Sequence, residues 1–490
     1  MAFQTFTYFV FLLGMVVGYY ALPTRLRWVL LLAGSYFFYM CWNARYALLL
    51  LLSTAVTYAA ALLIDRANGI EDGRARVRRK KAYVALSLVC NLGILFFFKY
   101  WNMIAATLDG ALELAGLSAR APRLQVLLPV GISFYIFQAL GYTVDVYRGD
   151  VRATRHFGKY ALFVSFFPQL VAGPIERSSR LLHQFDEIHR PNFETMRQGA
   201  FQILLGLIKK VLVADRLAVL VDMVYRQAGE YGAPAYIVAT VCFAFQIYCD
   251  FSGYSDIAVG SAGVLGYRLM RNFDRPYFSR SIGEFWRRWH ISLSSWFRDY
   301  LYFPLGGSRT TAARWALNTM VVFLASGLWH GADWTFVAWG ALNGAYLVAG
   351  RFTKSARDRA LRALGVNPEG RLRQGLAVIC TFALTVFAWM LFRADTLSQL
   401  QVMLTRLFTV WELESLWRLI RLVNGRECLL MALLVLGVLA LEWAGRKRDL
   451  TAAVFRLPLA ARWAVYLALL FVLILFGKYN ESPSFIYFQF

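Results

Sequence analysis

Apolar runs recur along the chain at roughly 3–22, 27–41, 46–64, 82–107, 124–147, 234–258, 315–332, 333–350, 374–393, 427–444 and 460–477. A helix needs about 20 mostly apolar residues to cross a bilayer. The runs are long and continuous rather than alternating, so they predict helices and not strands. A further stretch, 198–225, is long enough to cross but is interrupted by Lys209, Lys210, Asp215 and Arg216. It either lies in the interface or crosses with its charges turned toward protein. The pattern predicts an all-α, polytopic integral membrane protein of about 11–12 transmembrane helices. Residues 1–490 read as a single membrane domain, closed by an aromatic tail at 480–490.

Two apolar segments fail as spans. Residues 163–175 are short and broken by Pro168, Gly173 and Pro174. Residues 279–307 mix aromatic rings with Arg287, Arg288, Arg298 and Asp299. Non-helical backbone at membrane depth survives only buried in protein or lining a wet cavity. Both segments are therefore expected to be re-entrant or interfacial elements around an internal cavity. No internal repeat is visible, which argues against the inverted halves of many transporters.

Composition agrees with the pattern. Of 490 residues, 59% are hydrophobic and 17% charged, where a soluble domain has about 25% charged. Soluble, disordered, collagen-like and disulfide-scaffold classes are excluded. The formal charge is nonetheless +23, from 52 Lys and Arg against 29 Asp and Glu. In a soluble chain that excess would suggest a nucleic-acid partner; in a membrane chain it is cytoplasmic loop charge, and no nucleic acid is expected. The loop 65–81 carries Arg66, Arg74, Arg76, Arg78, Arg79, Lys80 and Lys81. Placed in the cytoplasm, it brings the basic stretches 25–27, 148–159, 268–314, 351–373 and 446–448 to the same face if 198–225 crosses once. Both termini then fall on the outer face. Residues 1–22 hold no Lys or Arg, so they lack the basic region of a cleaved signal peptide and read as a retained first span. Six cysteines form no CxxC pair, so neither a metal site nor a disulfide framework is expected.

Five histidines carry the candidate chemistry. His156, His183 and His189 lie in polar sequence and read as surface residues. His330 differs, because it follows the apolar run 321–329. An ionisable group placed there is costly, which makes a functional reading the default; the rival is a histidine bonded to a neighbouring helix. A ring whose ordinary pKa lies near 6.5 could take the proton of an alcohol as that alcohol attacks an acyl carbon. Gly331 would permit close approach of substrate or backbone. Trp329, Trp334 and Trp339 could wall a tunnel, or anchor the chain at the interface. His290 ends the segment 284–290, whose Arg287 and Arg288 could meet the phosphates of an anionic donor; the alternative is a helix lying on the anionic leaflet. Asp250 and Asp256 stand six residues apart and do not share a helix face closely, so a carboxylate dyad is not expected. They orient polar partners or cap helix ends with Ser252 and Ser255. Five of the last six residues are apolar or aromatic. They form either an interfacial belt or a tail inserted into a pocket.

Several motifs together resemble one family. Leu328-Trp-His-Gly-Ala332, about forty residues after Trp286-Arg-Arg-Trp-His-Ile-Ser-Leu293, resembles the membrane-bound O-acyltransferase (MBOAT) family, closest to its alginate O-acetyltransferase and teichoic-acid D-alanyl-transfer branch. Phe166 to Arg177, Gln246 to Asp256, Arg298 to Gly307 and Phe485 to Phe490 are similar to that branch as well. The resemblance implies a cone- or funnel-shaped helical body with a thin waist and a central tunnel. It implies His330 as the catalytic histidine and His290 as a second, more variable site residue. Tyr487 takes the place of a terminal tyrosine flanked by Phe485 and Phe490, an acyl relay or acceptor-side tail. Trp286, Arg287, Arg288, Trp329, Gly331, Asp299 and Tyr302 become candidates for the donor side or the tunnel. One departure is visible: Asn343 stands where a histidine is expected, which puts a third histidine's role in doubt.

The implied activity moves an acyl group, most simply acetyl, from a cytoplasmic thioester to hydroxyls of an exported polysaccharide or cell-wall polymer. The donor would be acyl-CoA or an acyl carrier protein, with no bound cofactor. The implied partners are membrane lipids, the polysaccharide acceptor and a secreted or periplasmic SGNH-hydrolase-type protein. The implied location is the bacterial cytoplasmic membrane. The alternative is a transporter or flippase for a lipid-linked glycan.

Overall fold

The computed structural model describes every residue except 172, 364, 368, 369, 447, 480–484 and 487–490. Helices form where the apolar runs predict them, and no strand occurs among the described residues. Among the described residues, six helices are long and apolar enough to cross a membrane: Arg45–Ala67, Gly73–Leu114, Ala233–Val264, Arg371–Arg393, Gly425–Ala444 and Leu459–Phe476. The other expected spans coincide with helices that are shorter or more polar, namely Phe6–Ala21, Thr24–Met40, Ile132–Arg148, Ala312–His330 and Trp334–Phe352. Leu429, Leu433 and Leu436 on one helix and Leu467, Phe471 and Ile474 on another are exposed. A continuous apolar surface of that kind suits lipid and not water.

The described chain divides into two compact units. The first comprises Met1–Ile203, Ile257–Arg271 and Ser295–Leu301. In it Arg45–Ala67 packs against Gly73–Leu95 and Ile132–Arg148, with Ser53 donating to Asn91 at 2.5 Å and Tyr160 to Thr57 at 2.7 Å. Segment 163–175 leaves the helix Phe157–Ser165 and runs irregularly, with Phe166, Phe167, Leu170 and Ile175 buried. Side chains satisfy its backbone. Gln138 and Gln169 both donate to the Phe163 carbonyl, at 2.5 and 2.8 Å, and Ser35 accepts from the Phe167 N–H at 3.0 Å. This pairing is what lets non-helical chain persist away from water. Gly131 is required beside it: its φ is +73°, and a Cβ there would stand 2.7 Å from the Leu170 carbonyl oxygen.

The second unit comprises Leu204–Asp256, Asn272–Ser294 and Tyr302–Phe490. Its densest pair is the hairpin of Ala312–His330 and Trp334–Phe352. Small residues let the two backbones touch: the Gly340 Cβ position lies 3.4 Å from the Gly327 Cα and 3.1 Å from the Phe323 carbonyl carbon. Close approach through glycines is a common way to pair helices where burial from water gives no drive. Segment 279–307 is not one span but short helices, Ile282–Arg288 and Ile291–Phe297, followed by a π-helical turn, Arg298–Tyr302.

The ambiguous stretch 198–225 falls in one helical run made of Phe193–Leu207, a π-helical segment Ile208–Ala214 and Asp215–Arg226. Its charges within the second unit are turned toward protein. Lys209 pairs with Asp256 at 2.7 Å. Lys210 is fully buried between Asp250 at 2.6 Å and Asp215 at 2.8 Å. Arg216 pairs with Glu427.

Candidate active site

The first helix of the glycine hairpin ends on His330. His330 is the last residue of Ala312–His330 and is 3% exposed. Its ring meets the edge of Trp339 at 5.1 Å and Phe392 at 5.4 Å, with Trp329 at 5.0 Å. Trp339 in turn stacks on Trp389 at 6.0 Å and 19°. A histidine buried against three large rings is what the apolar context of its sequence predicts.

His290 comes to the same place by a different device. It lies between two short helices with φ +43°, a left-handed conformation uncommon for a residue with a Cβ. The bend is held by Asn272, whose carbonyl accepts from the Ile291 N–H at 2.9 Å and whose side chain accepts from the Ser292 N–H at 3.3 Å. The Asp274 N–H donates to the Arg288 carbonyl at 2.9 Å. Strained backbone of this sort persists only where its surroundings over-determine it, and it gathers at functional sites. His290 is 1% exposed, and burial pushes its imidazole down to about 3, so the ring is neutral at physiological pH.

The two imidazole centroids are 6.4 Å apart. Their nearest atoms are then no closer than about 4 Å, beyond direct hydrogen-bond reach. A hydroxyl or carbonyl oxygen placed between them could touch both rings. Trp329, 5.7 Å from His290, closes one side, and Phe251, 4.6 Å from His290, closes another.

The remaining candidates sort by position. Trp286 touches Trp339 at 5.5 Å and backs the cage. Gly331 makes room for a protein ring, because a Cβ there would collide with Phe336. Trp334 is 46% exposed and stands outside the cage. Arg287 is exposed, whereas Arg288 is tied to Glu284 at 2.6 Å. Asp299 belongs to the first unit, where Arg177 holds it at 2.9 Å and Tyr300 bonds Asp145 at 2.6 Å. Tyr302 is half-buried, and its carbonyl accepts from the Gly307 N–H at 3.0 Å in a turn. Asn343 is spent on its own helix, donating to the Trp339 carbonyl at 2.9 Å. The other histidines make local contacts elsewhere: the His156 ring accepts from the Lys159 N–H, the exposed His183 lies 3.6 Å from Glu187, and the His189 ring bonds the Gln184 carbonyl.

Of the aromatic segment, Tyr487 and Phe490 lie outside the described residues. Phe485 is fully buried against Tyr254 at 4.2 Å and Phe251 at 5.8 Å. Phe251 thus touches both Phe485 and His290. Sequence reasoning missed Phe251 and Phe392, and it did not anticipate the pairing of Lys210 with Asp250 and Asp215. Phe251 sat inside the stretch 246–256 already singled out, but Phe392 read only as part of a span.

The membrane-bound O-acyltransferase family model matches residues 149–389. The chain is similar to a probable alginate O-acetylase, AlgI, of Azotobacter vinelandii, 38% identical over 422 residues that cover 85% of this chain and 80% of the relative. It is similar to a peptidoglycan O-acetyltransferase of Helicobacter pylori, 33% identical over 79% of this chain and 76% of the relative. A teichoic acid D-alanyltransferase of Streptococcus thermophilus is 30% identical over 54% of this chain and 68% of the relative. The matched region contains His290, His330 and Trp389.

Proposed function

The chain belongs to the membrane-bound O-acyltransferase family and is an O-acyltransferase, and from that premise we propose that it carries an acetyl group from a cytoplasmic thioester to hydroxyls of an exported polysaccharide or cell-wall polymer. The observation that supports this reading best is the pair of buried imidazoles, His290 and His330, facing one another in an aromatic cage. His330 acts as general base. It takes the hydroxyl proton of the acceptor as that oxygen bonds to the thioester carbonyl carbon; the carbon–sulfur bond then breaks, and the thiol leaves with the proton. General-base assistance of this kind contributes roughly 10²–10⁴-fold. His290, neutral, bonds the developing oxyanion or holds the acceptor oxygen toward His330.

The surrounding rings exclude competing water. Arg287, exposed beside this centre in sequence, meets donor phosphates. The donor is acyl-CoA or an acyl carrier protein arriving from the basic cytoplasmic face, in the bacterial cytoplasmic membrane with both termini outside. The acceptor side is served by the segment around Tyr487 and by an SGNH-hydrolase-type partner. The activities for which the relatives are named, on alginate, peptidoglycan and teichoic acid, support a polymer acceptor.

The test is His330→Ala in membranes supplied with radiolabelled acetyl thioester. A fall of at least 100-fold in label transferred is expected, and full activity would remove His330 from the mechanism. Glycan translocation by vesicles that transfer no label would favour the flippase.

A further inference from the structure

The chain beyond the helix Leu459–Phe476 is tied to one place. Arg216 donates to the Phe476 carbonyl. The Val211 carbonyl accepts from the Lys478 N–H at 3.3 Å. The Asp250 carboxylate accepts from the Ile486 N–H at 2.8 Å. Val211 lies in the π-helical segment Ile208–Ala214, and Lys210 of the same segment holds the other oxygen of Asp250 at 2.6 Å. A π-helical turn widens the helix and often marks a functional position. Here it accompanies a lysine held between two carboxylates, with Lys210, Asp215 and Asp250 all at most 4% exposed at the side chain. Asp250 aims this pair at backbone that belongs to no helix of the membrane body. Phe485, next to the tethered N–H, packs on Phe251, and Phe251 packs on His290.

We propose that Asp250, oriented by Lys210, is the positioning residue that seats the segment Phe485–Ile486 against Phe251 and thereby beside the histidine pair. The proposal rests on the reading of that pair as the transfer centre. Asp250 touches no reacting atom. It fixes where Phe485 sits against Phe251, so its loss should separate transfer to an acceptor from integrity of the cage. A charge-assisted bond to a backbone N–H is one of the stronger single contacts available in a protein.

The test needs a variant that leaves no orphan charge. Asp250→Ala meets this condition, because Lys210 keeps Asp215 at 2.8 Å. The experiment uses the full chain with Ile486→Cys, the other cysteines except Cys249 replaced by serine, and a maleimide as probe. Cys249 is buried and reports on the body of the fold. With Asp250 present, Ile486→Cys, at a position 3% exposed, should resist labelling. With Asp250→Ala it should label roughly 10- to 100-fold faster while Cys249 stays protected. In the same variant without the reporter cysteine, acetyl transfer should fall by a similar factor, and Asp250→Asn, which keeps an oxygen for the N–H, should recover part of both.

Equal labelling with and without Asp250 overturns the tether. So does simultaneous exposure of Cys249, which would make Asp250 a general structural residue. Release of the segment with unchanged transfer overturns the positioning role. A wild-type chain that transfers no acetyl group at all would instead fail the proposed function, and the labelling ratio would still decide the tether.

Discussion

The helix hairpin that carries His330 makes a prediction that can be worked from distances. A methyl group on Gly340 would stand 3.1 Å from the carbonyl carbon of Phe323, under 3 Å from its oxygen, and 3.4 Å from the Gly327 Cα. Ordinary contact begins near 3.4 Å, and the obstacle is backbone, which cannot rotate aside. Gly340→Ala must therefore push Ala312–His330 and Trp334–Phe352 apart by something on the order of 1 Å. Overpacking of this kind costs about 1–3 kcal/mol, against which alanine returns at most about 1 kcal/mol of helix propensity. The functional cost is larger. Gly340 adjoins Trp339, whose ring lies against His330, and a misplacement of about 1 Å at a reacting centre costs on the order of 100-fold in rate.

Gly350 lies on the same helix with nothing near its Cβ position, so Gly350→Ala is the matched control. The assay is acetyl transfer by the two purified variants at a temperature where both remain folded, judged by thermal unfolding. Gly340→Ala should lose roughly 100-fold while Gly350→Ala matches the parent. Transfer by Gly340→Ala within about two-fold of Gly350→Ala would refute the claim that this spacing holds His330 in place.

Phe392→Ala removes a ring that touches His330, Phe336, Trp339 and Trp389; it should destabilise by about 3–5 kcal/mol and raise thioester hydrolysis relative to transfer, and an unchanged ratio would count against water exclusion. His290 makes stability pH-dependent: the folded ring stays neutral down to about 3, whereas the unfolded ring gains its proton near 6.5. Protonation therefore favours the unfolded chain below 6.5, and stability falls with pH at about 1.4 kcal/mol per unit. Between pH 6.5 and 5 the parent should lose about 2 kcal/mol more than His290→Gln, and parallel slopes in denaturant titrations would reject this. Tyr487→Phe removes only the phenolic oxygen; if that oxygen relays the acyl group, polymer acetylation stops, and normal acetylation in the variant excludes the relay.

What the sequence made legible follows from which forces act locally. Apolar length located the helices, because the bilayer requires internally satisfied backbone and leaves few alternatives. The two segments that failed as spans were equally informative. Beyond Ser165 the described residues of 163–175 leave the helix, with two glutamine side chains on the Phe163 carbonyl, and residues 279–307 break at His290. His330 was legible from its apolar surroundings alone. Lys209, Lys210, Asp250 and Asp256 were all visible in the sequence, but their pairing was not, because an ion pair between helices forms where the two meet and neither sequence specifies the encounter. The same holds for Phe392, which has the composition of any lipid-facing residue until the fold turns it inward, and for Gly331, whose space is filled by Phe336.

The placement of charge carries the argument one step further. Burying Lys210 with two carboxylates is not a cheap way to stabilise a membrane helix: desolvation of buried ions offsets most of their attraction, and an apolar replacement is often neutral or better. Lipid-facing positions on Gly425–Ala444 and Leu459–Phe476 show that this chain places leucine and phenylalanine wherever packing alone is at stake. The charged triad is retained at the one place where a carboxylate meets the backbone of Ile486 and, through Phe485 and Phe251, the ring of His290. A carboxylate paired with a neighbouring lysine is a directional acceptor for that N–H, which an apolar contact cannot be. The cost of burying the triad is therefore better explained by orientation than by stability. The two contacts differ in kind: the His330 hairpin is held by close backbone packing, which fixes position, and the Ile486 N–H by a carboxylate, which fixes direction.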